Sequence, residues 1–390
     1  MRDEERKKES HFISQPSSNS KASRSEFDFI ERIRRRALQQ RSAPGDSDSS
    51  LIPHRSSLEP PSSLRSSLRL AIGDDAAVIR QFAGRETVIT VDLLVEEVDF
   101  LLDATPPRLL GHKALAVSLS DIAAMGARPR WALLSVGVPR GIWGSRFLDD
   151  FYEGFFTLAD RYNVTLIGGD VSRTPERVVI DSIVVGEAAR ASAVLRAGAR
   201  PGDHIFVTGA LGGAAAGLQL ILEGARLMKR APRRPESQRI EQLLLRHLCP
   251  QPRVEWGLSL GERRLATAMI DISDGLSSDL AHLCRESDVG ARVVASRIPV
   301  DPLIARAHPH DSDPLSLALH GGEDFELLFT VKPRSLARLP AEIGGVPVTY
   351  IGDVTNERGR IRLVDQGRAQ TLKPAGFTHF GRVLKRRKEE

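Results

Sequence analysis

The chain has 390 residues, 41% of them hydrophobic and 27% charged, with a formal net charge of +5, which fits a soluble globular protein long enough for two domains. Only Cys249 and Cys284 are present, outside any CxxC spacing, which excludes a disulfide scaffold and a cysteine zinc site and suits a reducing, cytoplasmic setting. No apolar run reaches the roughly 18 residues that span a bilayer, so a membrane role is not expected.

Residues 1–25 are polar, charged and Ser-rich and are expected to be a disordered extension. An N-terminal domain is expected over 26–187. It opens with a helix from Glu26 to Gln40 and is interrupted at 42–67 by a flexible insertion rich in Ser, Pro and Gly. Leu70 to Ile79 carries Gly73-Asp74-Asp75, and Thr87 to Val95 is a β-branched strand containing Asp92. Pro106 to Gly126 has a helical pattern, Trp131 to Val138 reads as a strand, and Phe147 to Tyr162 as an aromatic-bearing helix. Val164 to Ile167 is a short strand ahead of Gly168-Gly169-Asp170, and Val178 to Gly186 is another.

A C-terminal domain is expected over 188–380. His204 to Thr208 is a strand before the Gly-rich turn Gly209-Ala210-Leu211-Gly212-Gly213 and a helix through Leu222. Residues 224–239 read as a basic, Pro-containing loop, and Pro252 to Leu260 and Ser277 to Glu286 as helices. The strand Met269 to Ile272 leads into Ser273-Asp274-Gly275; Gly321-Gly322-Glu323-Asp324 precedes the strand Glu326 to Val331. Strands alternating with helices indicate an α/β or α+β layer fold. Residues 381–390 form a basic tail, and this tail, Arg32 to Arg36 and Lys229 to Arg234 read as solvated charge. With 5% aromatic residues and no stacking motif beside the charges, nucleic-acid binding is not expected.

The recurring feature is an aspartate closing a short apolar run: Asp74-Asp75, Asp92, Asp121, Asp170, and Asp271 with Asp274. A single such Asp is an ordinary cap or turn residue. Several of one kind, with almost no Lys among them, favour a site for hard cations, because acids brought together must protonate, repel or share a metal. The P-loop, GxGxxG and protein-kinase signatures are absent, and Gly209 to Gly213 is a weak phosphate loop. A polyphosphate site without a P-loop lysine needs its charge neutralised by metals, and several Asp holding Mg²⁺ would do so. The residues therefore point to a magnesium–nucleotide enzyme.

Ala71-Ile72-Gly73-Asp74-Asp75-Ala76-Ala77 resembles the start of the thiamine-monophosphate kinase family. So do Lys113-Ala114-Leu115-Ala116-Val117-Ser118-Leu119-Ser120-Asp121-Ile122-Ala123-Ala124-Met125-Gly126-Ala127 and Ile167-Gly168-Gly169-Asp170. Ile270-Asp271-Ile272-Ser273-Asp274-Gly275-Leu276 and Gly321-Gly322-Glu323-Asp324-Phe325-Glu326-Leu327 continue the match in order. The resemblance implies a two-domain, PurM-like α/β architecture shared with aminoimidazole ribonucleotide synthetase and selenophosphate synthetase. Its N-terminal domain, a ferredoxin-like sheet, would form a homodimer, and its C-terminal domain would be α/β. It implies ATP-dependent phosphorylation of thiamine monophosphate to thiamine diphosphate by direct in-line transfer, without a protein nucleophile. By the same resemblance Asp75, Thr90, Asp92, Asp121, Asp170, Asp271 and Asp274 would hold Mg²⁺. Gly169, Asp170, Arg196 and Ser273 would contact ATP, and Asp99, Glu323 and Phe377 the substrate.

Two positions depart from the family pattern. Thr90-Val91-Asp92 stands where Ser/Thr-Thr-Asp is usual, so a hydroxyl is lost near the metals, and Asp99 stands where a substrate-touching His is common. Lys113 is expected at the surface or in helix packing, with phosphate contact as the alternative, Asp74, Glu96 and Glu97 at the surface or just behind the metal ligands, His320 and His379 in structural roles, and Trp131 and Trp143 in the core or an interface. The alternatives are another ATP-dependent enzyme of the same superfamily or a non-catalytic nucleotide-binding scaffold. The absence of a Cys before Cys249 and of a terminal Cys disfavours the selenophosphate and hydrogenase-maturation branches.

Overall fold

The computed structural model describes residues 26–42, 68–70, 78–79, 83–228, 230–307 and 313–377. The readings made for residues 1–25, for 43–67, for Asp74, Asp75 and His379, and for the 381–390 tail lie outside the described residues.

Helix α1 (Glu26–Ser42) sets Phe29 edge-on against Trp143 and Tyr152, with ring centroids 5.8 and 5.5 Å away. A two-stranded ribbon, β1 (Leu68–Leu70) with β2 (Val78–Ile79), follows. The next elements are β3 (Arg85–Val95), α2 (Pro107–Ala124), β4 (Arg128–Val138), α3 (Phe147–Arg161), β5 (Thr165–Arg173) and β6 (Val179–Ala189). They build a four-stranded sheet in the order β3-β6-β4-β5. Only β4 and β5 are parallel, as expected for strands joined by a helical crossover.

Strand β3 alternates: Ile89, Val91 and Leu93 are exposed, whereas Thr90 and Asp92 turn to the helix side. Nearly every residue of α2 from Leu110 to Ala124 is buried, because this helix lies between the first sheet and the second half of the chain. A helix apolar on all sides belongs in a core, so its polar residues are informative.

The second sheet runs β14-β13-β9-β12-β7-β10-β8 with β11 alongside β12. Its strands are β7 (His204–Thr208), β8 (Ala266–Ile272), β9 (Gly290–Val294), β10 (Glu326–Val331), β11 (Glu342–Ile343), β12 (Val346–Thr355), β13 (Ile361–Asp365) and β14 (Arg368–Thr371). The helices are α4 (Gly213–Leu222), α5 (Pro235–Leu248), α6 (Val254–Glu262), α7 (Leu276–Glu286) and α8 (Pro314–His320). One core runs from the aromatic residues of α3 through α2 to Trp256 and Phe329, so the two halves share it. A second core underlies β8, β9 and α7. The two-domain α/β architecture is as expected. Among the described residues no helix is long and apolar enough to cross a membrane.

Three local readings change. The basic loop ends at Arg234, and α5 begins at Pro235 rather than after Arg239, since proline is well suited to the first turn of a helix. Strand β5 does not stop at Ile167 but continues through Gly168-Gly169-Asp170 to Arg173. Strands β9 and β11 to β14 were not anticipated.

Candidate active site

The buried polar residues of α2 each reach an acid. Ser118 Oγ donates to Asp92 Oδ2 at 2.7 Å, and Ser120 Oγ donates to Asp271 Oδ2 at 2.7 Å. Asp121, on the same helix, accepts from the Thr90 hydroxyl of β3. Lys113 Nζ lies 2.8 Å from Glu323 Oε1 and 3.0 Å from Oε2, and 3.3 Å from the Asp99 carbonyl. A single helix thus gathers acids from β3 and, across the two halves of the chain, from β8 and the 321–325 segment.

Burial pushes Asp92 up to about 6, with Asp121 and Asp181 adding to the push and the Ser118 hydroxyl opposing it. Asp121 is raised by burial against the Thr90 hydroxyl and the Arg196 charge. Asp271 is driven well above the usual carboxylate range by burial and then by Asp121, Asp279 and Asp92. Asp279 accepts from the backbone amides of Asp274 and Gly275 at 3.2 and 3.0 Å, closing the start of α7. Burial and Asp274 bring it to about 7. These are acids under mutual stress, and Arg196 is the cation that relieves Asp121 and Asp279. The Arg196 loop is itself pinned by Ser287, whose hydroxyl donates to the Arg196 carbonyl at 2.9 Å and accepts from Gly198 and Ala199.

The substrate candidates gather beside this group. Glu323 N donates to the Ser273 carbonyl at 2.7 Å and Phe377 N to the Asp274 carbonyl at 3.1 Å, so both hang from the turn after β8. The Phe377 segment is fastened there by Ser277 and Ser278, which accept from Ala375 and Gly376, with His320 Nδ1 2.8 Å from Ser277 Oγ. His320 thus helps hold the segment that carries Phe377. Asp99 Oδ2 accepts from Val95 N at 2.8 Å, which closes the turn after β3.

Other readings are corrected. Lys113 is neither a surface residue nor a packing residue: it is fully buried in an ion pair. Val91 points to the sheet face opposite Thr90 and Asp92, so the hydroxyl missing there is not missing from the acid group in this chain. The Gly209 to Gly213 turn is no open phosphate loop, because Asp324 already accepts from Gly212 N and Ala214 N at 2.7 and 3.2 Å. Glu96 is buried, accepting from Val178 N at 2.8 Å, whereas Glu97 is exposed and pairs with Arg177 at the same distance. Trp131 is buried on the outer face of the first sheet beside Ile167 and Val185, and Trp143 packs on Phe29.

Asp170 stands apart from the acid group. Gly169 aligns through Leu134 and Ser182 with Asp92, three strands away, roughly 14 Å at about 4.8 Å per spacing. Gly169 is required by close approach, since a Cβ there would meet the Leu134 carbonyl at 2.1 Å. Among the described residues no three His, Cys, Asp or Glu side chains converge as a ready metal group. The oxygen-only donors Thr90, Asp92, Asp121 and Asp271, with all three acids raised by burial and Asp92 and Asp271 also by Asp121, nevertheless match the preference of a hard divalent cation. Sequence reading gave no role to Ser118, Ser120, Asp279 or His247. The signal for the first two was a polar residue in an otherwise apolar helical stretch.

The two α/β halves, with acids converging on the helix between them, define the class of AIR synthase related proteins. The N-terminal domain model of that class matches residues 73–188, and the C-terminal domain model matches 200–364. The thiamine-monophosphate kinase of Bacillus subtilis (strain 168) is 36% identical over 329 residues, 83% of this chain and 97% of the relative. The crystal structure of thiamine-monophosphate kinase from Stenotrophomonas maltophilia K279a has a TM-score of 0.72 and 36% identity, covering 89% of this chain and 98% of that one. AaThiL complexed with AMPPCP and TMP has a TM-score of 0.65 and 30% identity, covering 76% of this chain and 89% of the other. The chain belongs to the thiamine-monophosphate kinase family.

Proposed function

We propose that the protein transfers the γ-phosphoryl group of ATP to thiamine monophosphate, giving thiamine diphosphate and ADP. The observation that carries this is the meeting of Asp92, Asp121 and Asp271 around α2, next to the Lys113–Glu323 pair. The related structure with AMPPCP, a nucleotide whose β–γ bridging atom is carbon in place of oxygen, and with TMP supports the same pairing of ligands.

In this reading a phosphate oxygen of the substrate attacks the γ-phosphorus in line, and the bond to the β–γ bridging oxygen breaks as ADP leaves. No side chain needs to become a nucleophile; positioning and charge neutralisation carry the reaction. Thr90, Asp92, Asp121, Asp271 and Asp274 would hold Mg²⁺, with Asp75 and Asp170 completing the set. Bound there, the ions would neutralise polyphosphate charge. Gly169, Asp170, Arg196 and Ser273 are assigned to the nucleotide. Glu323, Phe377 and the Asp99 turn are assigned to the thiamine half, with the exposed Phe377 ring as a face for a cationic heterocycle. Two free thiols, Cys249 and Cys284, suit a cytoplasmic working compartment. The test is product formation with ATP and Mg²⁺. Thiamine diphosphate should form from thiamine monophosphate, while thiamine and aminoimidazole-type acceptors give no phosphorylated product. Turnover of another acceptor alone, or ATP binding without turnover, would sink the reading.

A homodimer joined across the first sheet is part of the proposal. Ile89, Val91 and Leu93 are 66%, 62% and 57% exposed on β3. The register continues this row inward as Ile89–Val185–Trp131 and Val91–Ile183–Leu133, where Val185 and Trp131 are buried, so the exposed apolar surface is the β3 row at the sheet edge. A row of exposed aliphatic side chains on an edge strand suits an interface, and a second copy presents a matching row. Ile89→Arg should shift the mass in light scattering from twice the 42.8 kDa chain to the single chain. An unchanged dimer would place the interface elsewhere.

A further inference from the structure

We propose that Lys113 and His247 are positioning residues that hold the Glu323 carboxylate as a fixed anion for the cationic half of the substrate. The inference rests on the kinase reading above and adds to it two residues that act through Glu323.

The geometry is asymmetric. The Lys113 and His247 side chains are 1% and 6% exposed, but that of Glu323 is 27% exposed. The cation and the imidazole therefore sit behind the carboxylate, which keeps an open edge. A buried pair that served only to neutralise itself would be closed on both sides.

Lys113 also stands where packing alone would put an aliphatic residue, amid Leu109, Leu110 and Ala114. Burying an ammonium costs several kcal/mol unless its donors are satisfied. Here they are: two contacts go to Glu323 and one to the Asp99 carbonyl. Lys113 thereby ties the Asp99 turn and Glu323, two of the substrate candidates, to one point.

Glu323 itself has φ +68°, a left-handed conformation that a non-glycine residue adopts at a cost of about 1 kcal/mol or more. Gly321 and Gly322 precede it without taking up a left-handed conformation, and Phe325, two residues on, shares one at φ +50°. His247 Nδ1 lies 2.7 Å from Glu323 Oε2, on the buried side of the carboxylate. Burial and the Lys113 charge hold His247 down toward its neutral form, against Glu323. Burial would push Glu323 up, but Lys113 and His247 outweigh it and hold the carboxylate at about 2. One ammonium against one carboxylate leaves the cluster without excess positive charge, so an arriving heterocyclic cation meets an anion.

The experiment is steady-state kinetics and thiamine titration on Lys113→Met, His247→Gln and the charge-neutral double variant Lys113→Met/Glu323→Gln. Lys113→Met should raise KM for thiamine monophosphate about tenfold or more, with KM for ATP and kcat within about twofold. His247→Gln should act in the same direction, more weakly. The double variant guards against a fold lost to an unpaired buried acid: it should melt near the wild type yet keep the raised KM. Unchanged KM in these variants, a fall in kcat alone, or a rise in KM for ATP would overturn the proposal. If the wild type does not phosphorylate thiamine monophosphate, the kinase reading fails by itself. Binding of thiamine, which carries the cation without the phosphate, then decides the positioning role: tenfold weaker binding to Lys113→Met supports it, and no binding to the wild type overturns it.

Discussion

Asp271→Asn is expected to lower kcat by at least about 10²-fold while raising the melting temperature of the protein in EDTA. The activity loss follows from removing a buried carboxylate from a site that works by electrostatic stabilisation, where single groups are worth 10²–10³ in rate. The stability gain follows from the same burial. Asp271 is 3% exposed, and its ordinary acidity is suppressed first by burial and then by Asp121, Asp279 and Asp92. Its ionised form in the folded protein is therefore under strain that an amide does not feel, and Ser120 can still donate to the amide oxygen. The sign with pH is fixed by the raised values. A carboxyl whose folded pKa lies above its unfolded value of about 3.9 contributes stability at low pH that is lost as pH rises through the folded value. Asp92 at about 6 and Asp279 at about 7 place that loss between roughly pH 4 and 7, with Asp271 extending it upward. In EDTA the wild type should therefore lose melting temperature across this window, and Asp271→Asn should lose less, so their difference widens with pH. Mg²⁺ should restore the wild type above pH 7 and help the variant less, because ligand binding to the folded state is itself stabilising. Calorimetric scans from pH 5.5 to 8.5, with and without Mg²⁺, decide it. An Asp271→Asn protein that melts below the wild type in EDTA at pH 8 would mean the acids are not under mutual repulsion.

Much of this site was legible from residues alone because its parts lie at the ends of regular elements. The β-branched residues of β3 and the helical pattern of α2 identified both elements, and Asp92, Asp121 and Asp271 were visible as acids closing apolar runs in β3, α2 and β8. What the sequence could not carry was partnership. Ser120 and Asp271 are 151 residues apart, and Lys113 and Glu323 are 210 apart. No local spacing relates them, so Lys113 read as an ordinary helix residue.

His247 was missed for a different reason. Its helix, α5, follows Pro232 and a run of arginines, and the prolines read as a loop although Pro235 opens the helix. The Gly168-Gly169 pair misled in the same way. Glycine usually ends a strand, but here it is what lets β5 approach β4, so Asp170 lies within an edge strand. The second sheet's β12 carries Pro347 and Gly352, which hide its length; a Cβ at Gly352 would meet the Arg292 carbonyl of β9 at 2.0 Å.

Gly154→Ala is expected to be the most destabilising conservative change in the N-terminal half. Helices α2 and α3 cross with their backbones in contact, through one glycine from each. A Cβ on Gly154 would lie 1.7 Å from the Arg108 carbonyl oxygen, and a Cβ on Gly111 would lie 1.8 Å from that of Phe151. Neither neighbour is a side chain that can swing aside, so the helices must separate. Overpacking of a core typically costs ~1–3 kcal/mol, and with backbone on both sides the cost should reach ~3 kcal/mol or more. Alanine's better helix propensity returns only about 1 kcal/mol. Separation would also strip contacts from Leu148, Phe151 and Phe155, all fully buried on α3. It would displace α2, which carries Lys113, Ser118, Ser120 and Asp121 to their partners. Stability and activity should therefore fall together in Gly154→Ala, unlike in Asp271→Asn, where they move apart. Gly141→Ala is the control, since a Cβ there meets nothing within 4 Å, and it should stay within about 0.5 kcal/mol of the wild type. Urea denaturation midpoints for the three proteins measure this, and equal midpoints for Gly154→Ala and the wild type would rule out the close crossing that seats α2 among the acids.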